Sequence, residues 1–432
     1  MHAGDPSVVA RRESSARSYS RWVTPVLGRA KGSLIWSRDG ARHIDFLAGA
    51  GSLNYGHNDD DMKAALLDYI SADGIAHGLD MTTEAKLGFL SAFEEHILRP
   101  RELDYHCQFT GPTGANAIEA AIKLARRVTG RSQVIAFTRA FHGVSAGALA
   151  ATANSYFRGS GHGLHGVTRL PYDGYLGSVD TAQLLADMLA DPASGIEAPA
   201  AILLETVQGE GGLASASNAW MRAVARIARE VGALLIVDDI QAGCGRTGTF
   251  FSFERSGIVP DLVALSKSLS GYGLPMSLLC IRPRWDSWKP GEHNGTFRGN
   301  AHAFVTATVA LEKFWSTREF EAQVAARSEL VQRRLSALTP LVEGASVKGR
   351  GMMQGLDVGS GELATRIRTQ CFEDGLIIET CGPHDEVLKV LAPLTTPEPL
   401  LAEGLDILAA AVAGAASATP TPASASPTTL VG

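Results

Sequence analysis

The hydrophobic positions of the chain fall into short apolar runs that alternate with longer stretches of helical spacing. Two runs, Ala233–Val237 and Leu262–Leu265, are rich in leucine or β-branched residues and end abruptly in polar residues. That pattern is typical of central parallel strands that are covered on both faces. Asp238 follows the first run directly, and Lys267 follows the second after a single serine. Since an open α/β sheet binds its ligand at the carboxyl ends of its strands, we expect both side chains at one edge.

The same periodicities predict an α/β fold with a mostly parallel central sheet flanked by helices. Residues 1 to about 15 are polar, and the chain from about Ala413 consists of Ala, Ser, Thr and Pro without a period, so both ends are expected to be disordered. The segment Asn154–Asp173 is predicted to be a long loop near the active site. The predicted strands are Gly32–Trp36 and His43–Leu47, joined as a hairpin, Tyr105–Phe109, Gln133–Thr138, Ala200–Glu205, Val347–Gly349 and Met352–Val358. The predicted helices are Asp61–Ile70, Thr83–Ile97, Ala301–Phe314, Arg318–Leu338 and Leu363–Phe372.

The length, charge and cysteine content of the chain limit the classes of protein to which it can belong. The 432 residues suit two domains of ordinary size, and the net charge of −6, with acids and bases interspersed, argues against a nucleic-acid surface. Five cysteines lie far apart without metal-ligand spacing, which argues against a disulfide framework and against zinc, and for reduced thiols in a cytoplasm. The N-terminus lacks the apolar segment of a secretory signal, and no apolar run approaches about 20 residues, so no membrane span is expected.

The pairing of Asp238 with Lys267 suits the chemistry of pyridoxal phosphate (PLP). The aldehyde of that cofactor needs an amine to form a Schiff base, and a carboxylate must keep its ring nitrogen protonated so that the ring accepts electrons. Taken singly, Asp238 is better explained as a helix cap and Lys267 as a solvated surface lysine. The residues around them decide between these interpretations.

The two segments DDIQAGCGRTG and PDLVALSKSLSGYGLP resemble the signature of class III (ω-type) aminotransferases, which are PLP enzymes of fold type I. The resemblance spans roughly residues 20 to 412. It implies that Asp238 partners the pyridinium nitrogen, that Gln241 lies near the ring hydroxyl and that Lys267 forms the Schiff base. Asp239 stands where the family usually has glutamate, and its role is left open.

Further cofactor contacts follow from the resemblance. The loop GPTGANAIEAAIKLARRVTG opens onto a helix, whose free N–H groups suit a phosphate, and Thr113, Gly114 and Ala115 match the phosphate-binding positions of the family. Phe141 matches the aromatic residue that lies against the cofactor ring. Its neighbour His142 is a weaker acid–base candidate, since such a histidine more often packs or orients.

Substrate contacts are expected from several segments. Asn54 and Tyr55 match substrate-facing positions of an N-terminal loop, although Tyr55 is equally well explained as a packing aromatic. Glu210 matches a glutamate that pairs in the family with a mobile, carboxylate-binding arginine. Lys389 replaces that arginine here, and a lysine lacks the planar fork that grips a carboxylate at two points. Arg298, where the family more often has glycine, is a rival carboxylate binder.

The run GTFRGN resembles a family segment whose threonine reaches the cofactor phosphate of the neighbouring subunit. Thr296 is the matching residue, which implies a homodimer or a higher homo-oligomer with the site at its interface. The resemblance also implies a division of the chain into domains. Residues 16–60 and 313–412 are expected to form a smaller α/β domain, residues 61–312 the large PLP-binding domain, and residues 1–15 and 413–432 disordered ends.

Stretches such as DFLAGAGSLNYGHN and WKPGEHNGTFRGN most resemble the diaminobutyrate-forming branch of the family, which serves ectoine synthesis. The resemblance implies transfer of the amino group of L-glutamate to L-aspartate 4-semialdehyde. Two alternatives stay open because fold-level likeness specifies a substrate weakly. One is a class III aminotransferase for ornithine, 4-aminobutyrate or a secondary-metabolite precursor. The other is a PLP-binding protein without transaminase activity.

Overall fold

The computed structural model of the protein describes residues 5–159 and 164–417. Its strands form one large sheet and two smaller ones, and helices cover both faces of the large sheet. The strands are β1 (Leu27–Lys31), β2 (Leu34–Ser37), β3 (Arg42–Asp45), β4 (His106–Phe109), β5 (Val134–Phe137), β6 (Val167–Leu170), β7 (Ala201–Glu205), β8 (Leu234–Asp238), β9 (Leu262–Leu265), β10 (Leu278–Ile281), β11 (Ser346–Arg350), β12 (Met353–Asp357), β13 (Leu376–Ile377), β14 (Glu379–Cys381) and β15 (Val387–Val390). The helices are α1 (Ser7–Arg12), α2 (Ala48–Gly51), α3 (Asp60–Ser71), α4 (Glu84–Phe93), α5 (Gly114–Thr129), α6 (Ala146–Ala151), α7 (Ser155–Arg158), α8 (Thr181–Ala190), α9 (Asn218–Glu230), α10 (Ala301–Trp315), α11 (Glu319–Ser336), α12 (Gly361–Glu373) and α13 (Glu398–Ser417).

The large sheet has the strand order β4-β10-β9-β8-β7-β5-β6. The strands from β6 through β9 run parallel, and β10 is antiparallel to both of its neighbours. Every residue of β7, β8 and β9 is buried, because apolar side chains meet α5 and its neighbours on one face and the main core cluster on the other. The α/β fold and the two central strands expected from the apolar runs are therefore confirmed.

The two smaller sheets contain strands from the first and last parts of the chain. Strand β13 pairs in parallel with β3, with Leu376 opposite Ile44, so both ends of the chain share one sheet. The other sheet has the order β11-β12-β15-β14 and is antiparallel. A smaller α/β domain built from the two ends agrees with this arrangement, and its boundaries stay a prediction.

Three segments differ from the expectation. The predicted loop Asn154–Asp173 contains α7 and β6, because β6 completes the edge of the large sheet by pairing in parallel with β5. At the N-terminus, Ser7–Arg12 is helical, and the carboxylate of Asp5 accepts from the backbone N–H of Ser7 at 2.9 Å. Helix α13 continues four residues past 413 to Ser417 because Ala411 and Val412 extend its buried face. Residues 1–4 and 418–432 lie outside the described part of the chain.

By length and composition, α13 is the one helix among the described residues that could cross a membrane. Length and composition alone do not contradict the sequence-based expectation of no membrane span, which stays a prediction. The buried side of α13 includes Leu401, Leu405 and Leu408, and its polar side carries Glu403, which pairs with Arg42 at 2.8 Å. Helix α13 thus has the one-sided burial of a core helix that packs on a domain.

Candidate active site

A cavity of about 180 Å³ lies at the carboxyl ends of β5, β7, β8 and β9. This is the edge at which open α/β sheets bind ligands. Many of the residues predicted for the site line it together, although they lie more than 150 positions apart in the chain (Gly114 against Lys267). The lining residues are Gly114, Ala115, Phe141, His142, Gly143, Glu205, Gly209, Glu210, Asp238, Ile240, Gln241, Ser266 and Lys267.

Asp238 ends β8 and is held from two sides. Its Oδ2 lies 2.7 Å from Nδ1 of His142, and its Oδ1 accepts from the backbone N–H of Ile240 at 3.2 Å. The backbone N–H of His142 in turn donates to Oγ1 of Thr152 at 3.0 Å. The backbone of His142 is therefore held by Thr152, and the buried imidazole contacts one oxygen of the Asp238 carboxylate.

Glu205 ends β7 directly opposite Asp238 in the strand register. It accepts from the backbone N–H groups of Phe141 at 3.0 Å and Gly209 at 3.1 Å. Burial raises the pKa of Glu205 to about 7, which His142 opposes and the nearby charge of Asp238 reinforces. Sequence reasoning noted Glu205 as a strand end and gave it no role. A carboxylate directly after a buried apolar strand is the signal that could have found it.

Lys267 lies at the end of the next strand, β9. Its φ of 45° is left-handed, a strained conformation for a residue other than glycine, and such strain is found mainly at functional sites. The preceding Ser266 is anchored by its hydroxyl, which donates to the carbonyl of Met276 at 2.8 Å. Burial lowers the pKa of Lys267, and Glu210 opposes that shift. A lowered pKa leaves more of the amine neutral and therefore nucleophilic.

Gln241 connects the cavity with the N-terminal segment. Its Nε2 donates to the carbonyl of Ala50 at 3.0 Å, within the left-handed turn α2. Its Oε1 is buried and has no hydrogen-bond partner among the described residues. A Cβ at Gly209 would stand 1.9 Å from that oxygen, so a side chain there would displace the amide of Gln241. An unpartnered polar atom in a cavity wall is a ready contact for a bound polar ligand.

Helix α5 begins at the cavity. Gly114 and Ala115 form its first turn, where backbone N–H groups have no partner within the helix and the helix dipole favours an anion. A Cβ at Gly114 would stand 2.7 Å from the side chain of Ile240, which would then have to shift. Thr113 is exposed, caps the helix by accepting from Asn116, and does not line the cavity.

Lys389 is fully buried on β15 and contacts Glu210 beneath the cavity. Its Nζ lies 3.0 Å from Oε1 of Glu210 and 2.9 Å from Oε1 of Glu379. Burial lowers the pKa of Lys389, but the two carboxylates outweigh burial and the net shift is well upward. Sequence reasoning missed Glu379, which lies in β14 without any motif, 169 residues from Glu210 (379 minus 210).

Two residues predicted to line the pocket lie instead in the interior. The side-chain amide of Asn54 donates to the carbonyl of Cys244 at 2.9 Å, and its Oδ1 accepts twice from the fully buried Arg246. Tyr55 stacks on Phe314 at 4.8 Å, and its hydroxyl accepts from the indole of a tryptophan at 2.8 Å. Of the two interpretations of Tyr55, the structure favours the packing aromatic.

The segment that follows Asn294 also lies away from the cavity. Thr296 is exposed, and the guanidinium of Arg298 pairs with Asp80. Neither residue lines the cavity of its own chain. The roles predicted for them, at the phosphate of a neighbouring subunit and on a substrate carboxylate, stay predictions.

Asp239 faces away from the cavity, toward the loop after β8. Its Oδ2 accepts from the backbone N–H of Ser252 at 3.0 Å, and its Oδ1 accepts from the hydroxyl of the same serine. Burial raises the pKa of Asp239 to about 7 against these hydrogen bonds. The open question about Asp239 therefore has a structural answer, since its carboxylate holds the loop at Ser252.

Taken together, the cavity wall fits a phosphorylated pyridine aldehyde. A fixed carboxylate at Asp238 suits a protonated ring nitrogen, the orphaned oxygen of Gln241 suits a polar ring substituent, and the start of α5 suits a phosphate. The amine of Lys267, which makes no hydrogen bond to any described residue, suits the aldehyde. Within residues 5–159 and 164–417, no group of three or more His, Cys, Asp or Glu side chains could hold a metal ion.

Comparison with known proteins agrees with this chemistry. Residues 15–412 match the family model described as aminotransferase class-III. The chain is 58% identical over 406 residues to a protein of Vibrio cholerae serotype O1 named diaminobutyrate–2-oxoglutarate transaminase, covering 93% of this chain and 98% of that one. A protein of the same name from Vibrio parahaemolyticus is 55% identical over 94% of this chain and 97% of its own length.

A solved ornithine aminotransferase from Toxoplasma gondii has the same fold, with a TM-score of 0.79 at 23% identity and coverage of 95% of this chain and 94% of that one. At that identity the likeness concerns the fold alone. The family match and the relatives go further, because they span nearly the whole described chain. The chain belongs to the class III aminotransferases and is an aminotransferase.

Proposed function

We propose that this class III aminotransferase transfers the amino group of L-glutamate to L-aspartate 4-semialdehyde, giving L-2,4-diaminobutyrate and 2-oxoglutarate. The observation that carries the proposal is the lining of one cavity by Lys267 and Asp238, in a chain 58% identical to a protein named for this transfer. The identity extends over 93% of the chain, so the likeness is not confined to the motifs.

Pyridoxal 5'-phosphate is the proposed cofactor, and it supplies an electron sink for the carbon that carries the reacting nitrogen. Asp238, oriented by His142, would hold the proton on the ring nitrogen. Gly114 and Ala115 would receive the phosphate, Phe141 would lie against the ring, and Gln241 would contact its hydroxyl.

Lys267 has two proposed tasks. Its amine, whose pKa burial lowers, would hold the cofactor through the aldehyde. The same amine, which lines the cavity, would also act as the general base that removes a proton from the substrate carbon. The same amine returns a proton in the second half of the cycle.

A homodimer is part of the proposal. The surface around Thr296 is apolar, with Phe297 69%, Met81 58% and Leu79 45% exposed, and the ring of Phe297 contacts His77 at 5.2 Å. Apolar groups gathered on one surface commonly mark an interface. We propose that Thr296 reaches the cofactor phosphate of a partner subunit across this surface. Service in ectoine synthesis and a cytoplasmic location also stay predictions.

The proposal is tested with the variant Lys267→Ala. We expect it to lose turnover together with the near-visible absorbance of the lysine-bound cofactor, while Lys289→Ala, an exposed lysine, keeps both. Retention of that absorbance in Lys267→Ala would contradict the assignment. A panel of glutamate, alanine and ornithine as donors then separates the proposed reaction from other ω-amine transfers.

A further inference from the structure

The ammonium group of Lys389 is surrounded by protein oxygens. Besides Glu210 and Glu379 at 3.0 and 2.9 Å, the carbonyl of Gly209 accepts from its Nζ at 3.2 Å. The side chain is completely buried and is not part of the cavity wall. A lysine has three N–H donors, and three oxygens already lie around this one. Two of these oxygens, Oε1 of Glu210 and the carbonyl of Gly209, accept hydrogen bonds from Lys389, and Glu379 adds an ion pair, so the protein holds the ammonium group from several sides.

Glu379 makes a movement of Lys389 toward the cavity costly. Its carboxylate is buried, with Oε1 beside Lys389 and Oε2 accepting from the hydroxyl of Tyr19 at 3.2 Å. If Lys389 swung toward a substrate, Glu379 would be left as a buried charge without a counter-ion, which proteins avoid. Lys389 is thus a cation held between two acidic side chains, of which burial raises the pKa of Glu379 while the pKa of Glu210 is lowered.

Of these three groups, only Glu210 lines the cavity. It lines the cavity with Lys267, its side chain is 33% exposed, and Lys389 contacts only its Oε1. Both lysines lower the pKa of Glu210 against the opposing effect of burial, so the group is a carboxylate at neutral pH. At this end of the cavity a substrate therefore meets an anion, which attracts an ammonium group.

We propose that Glu210 is a specificity-determining residue that accepts a hydrogen bond from the α-ammonium group of the diamino substrate, the amine that is not transferred. The inference rests on the proposed function. When C4 of diaminobutyrate reaches Lys267, its α-ammonium lies two carbons further along the substrate. Glutamate carries no ammonium group besides the one that reacts, so its half-reaction does not draw on this contact.

The test compares two amines that differ only in the α-ammonium group, L-2,4-diaminobutyrate and 4-aminobutyrate. Each is mixed in excess with the PLP-loaded holoenzyme, and the conversion of the cofactor to its amine form is followed by absorbance to give kcat/KM for the half-reaction. A charge-assisted hydrogen bond changes such a ratio by roughly tenfold to a hundredfold. We expect Glu210→Gln to lower the preference for diaminobutyrate by that factor and to leave the glutamate half-reaction within about threefold.

Glu379→Gln is the matched control. Each variant removes one carboxylate from Lys389 and leaves the lysine paired with the other, so each keeps a neutral buried pair. Because Glu379 does not line the cavity, its variant should keep the substrate preference of the parent. Equal loss of preference in the two variants would overturn the inference, since the effect would then come from the charge of Lys389.

Two outcomes with the parent enzyme separate this inference from the proposed function. If the parent forms diaminobutyrate from glutamate and aspartate semialdehyde but reacts equally well with both amines, the inference is wrong and the proposed function stands. If the parent does not react with diaminobutyrate at all, both are wrong. A strong preference in the parent that disappears only in Glu210→Gln supports both.

Discussion

The Nδ1 atom of His142 lies 2.7 Å from Oδ2 of Asp238, and both side chains are buried. This contact connects the turn after β5 with the end of β8, two neighbours of the same cavity. The other imidazole nitrogen, Nε2, is buried and has no hydrogen-bond partner among the described residues. Among the described residues, the carboxylate of Asp238 is therefore the one hydrogen-bond partner of the imidazole ring. We infer that His142 positions Asp238 for the cofactor ring.

Replacing His142 with alanine should weaken cofactor binding. Without the imidazole, Asp238 is free to turn, so we expect a roughly tenfold higher Kd for the cofactor and a lower kcat, at the scale of one charge-assisted hydrogen bond. Titration of the apoenzyme with the cofactor measures the change. His106→Ala is the control, because His106 makes an exposed contact of the same kind with Asp286 at 2.8 Å. Similar effects of the two variants would contradict the positioning role.

Replacing Arg246 should destabilise the whole molecule. Its guanidinium is fully buried and donates to Asn54 and to the carbonyls of Met352 and Ala392, at 3.1 and 2.6 Å. It thereby ties the N-terminal and C-terminal segments to the loop after β8. Arg246→Ala leaves several buried acceptors unpaired, and we expect a loss of about 3–5 kcal/mol.

The matched control for that variant is Arg226→Ala, which breaks an exposed helical pair with Glu230. Such pairs contribute about 0.3–0.5 kcal/mol, so its thermal midpoint should barely move. Thermal unfolding of the three proteins at one cofactor concentration measures both effects. A midpoint for Arg246→Ala within a degree of the parent would show that the buried guanidinium is dispensable.

The raised pKa of Asp239 predicts a pH dependence of stability. Burial raises this pKa from 3.8 to about 7, so the folded state holds the proton more tightly than the unfolded state. The stability contributed by protonation is complete below about pH 4 and is lost as the pH rises to about 7. Asp239→Asn is neutral throughout and should escape that loss.

We therefore expect the thermal midpoint of the parent to fall relative to that of Asp239→Asn as the pH rises from 5 to 8. Glu205, whose pKa is also about 7, is present in both proteins, so its titration cancels to first order in the comparison. Thermal midpoints of both proteins, measured in steps of half a pH unit, give the difference between them as a function of pH. A difference between the two proteins that does not change with pH would contradict the assignment.

The proposed dimer surface predicts the effect of a charge at Phe297, which is 69% exposed beside Thr296. Burying an aspartate in an interface without a partner is unfavourable, so Phe297→Asp should yield monomers with little activity. Val259→Asp, an exposed apolar position in the loop before β9, should remain dimeric. Light scattering after gel filtration distinguishes the two. A dimeric Phe297→Asp variant would contradict the proposed surface.

The sequence predicted the parts of the site that follow directly from local patterns. The strands before Asp238 and Lys267 were recognised because a buried apolar run with a polar end is a local signal. The start of α5 was recognised because a glycine loop before an amphipathic helix is equally local. All three features line the same cavity.

The missed features depend on partners distant in the chain. Strand β6 is short, and polar residues make up half of it. It forms a strand because its backbone pairs with that of β5. Tyr55 belongs to a loop whose sequence does not specify which side chains face the interior. Its ring is buried because it packs on Phe314 and its hydroxyl accepts a hydrogen bond from Trp315. Glu379 is placed beside Glu210 by the pairing of β14 with β15. Local spacing contains none of this information.

The central claim is most directly tested by following one nitrogen atom. The purified holoenzyme is incubated with L-glutamate labelled with nitrogen-15 and with L-aspartate 4-semialdehyde, and the products are identified by mass spectrometry. The account predicts diaminobutyrate labelled at the C4 amine, in amounts equal to the 2-oxoglutarate formed, and no product with Lys267→Ala. Formation of 2-oxoglutarate without diaminobutyrate, or label at the α-amine, would contradict it.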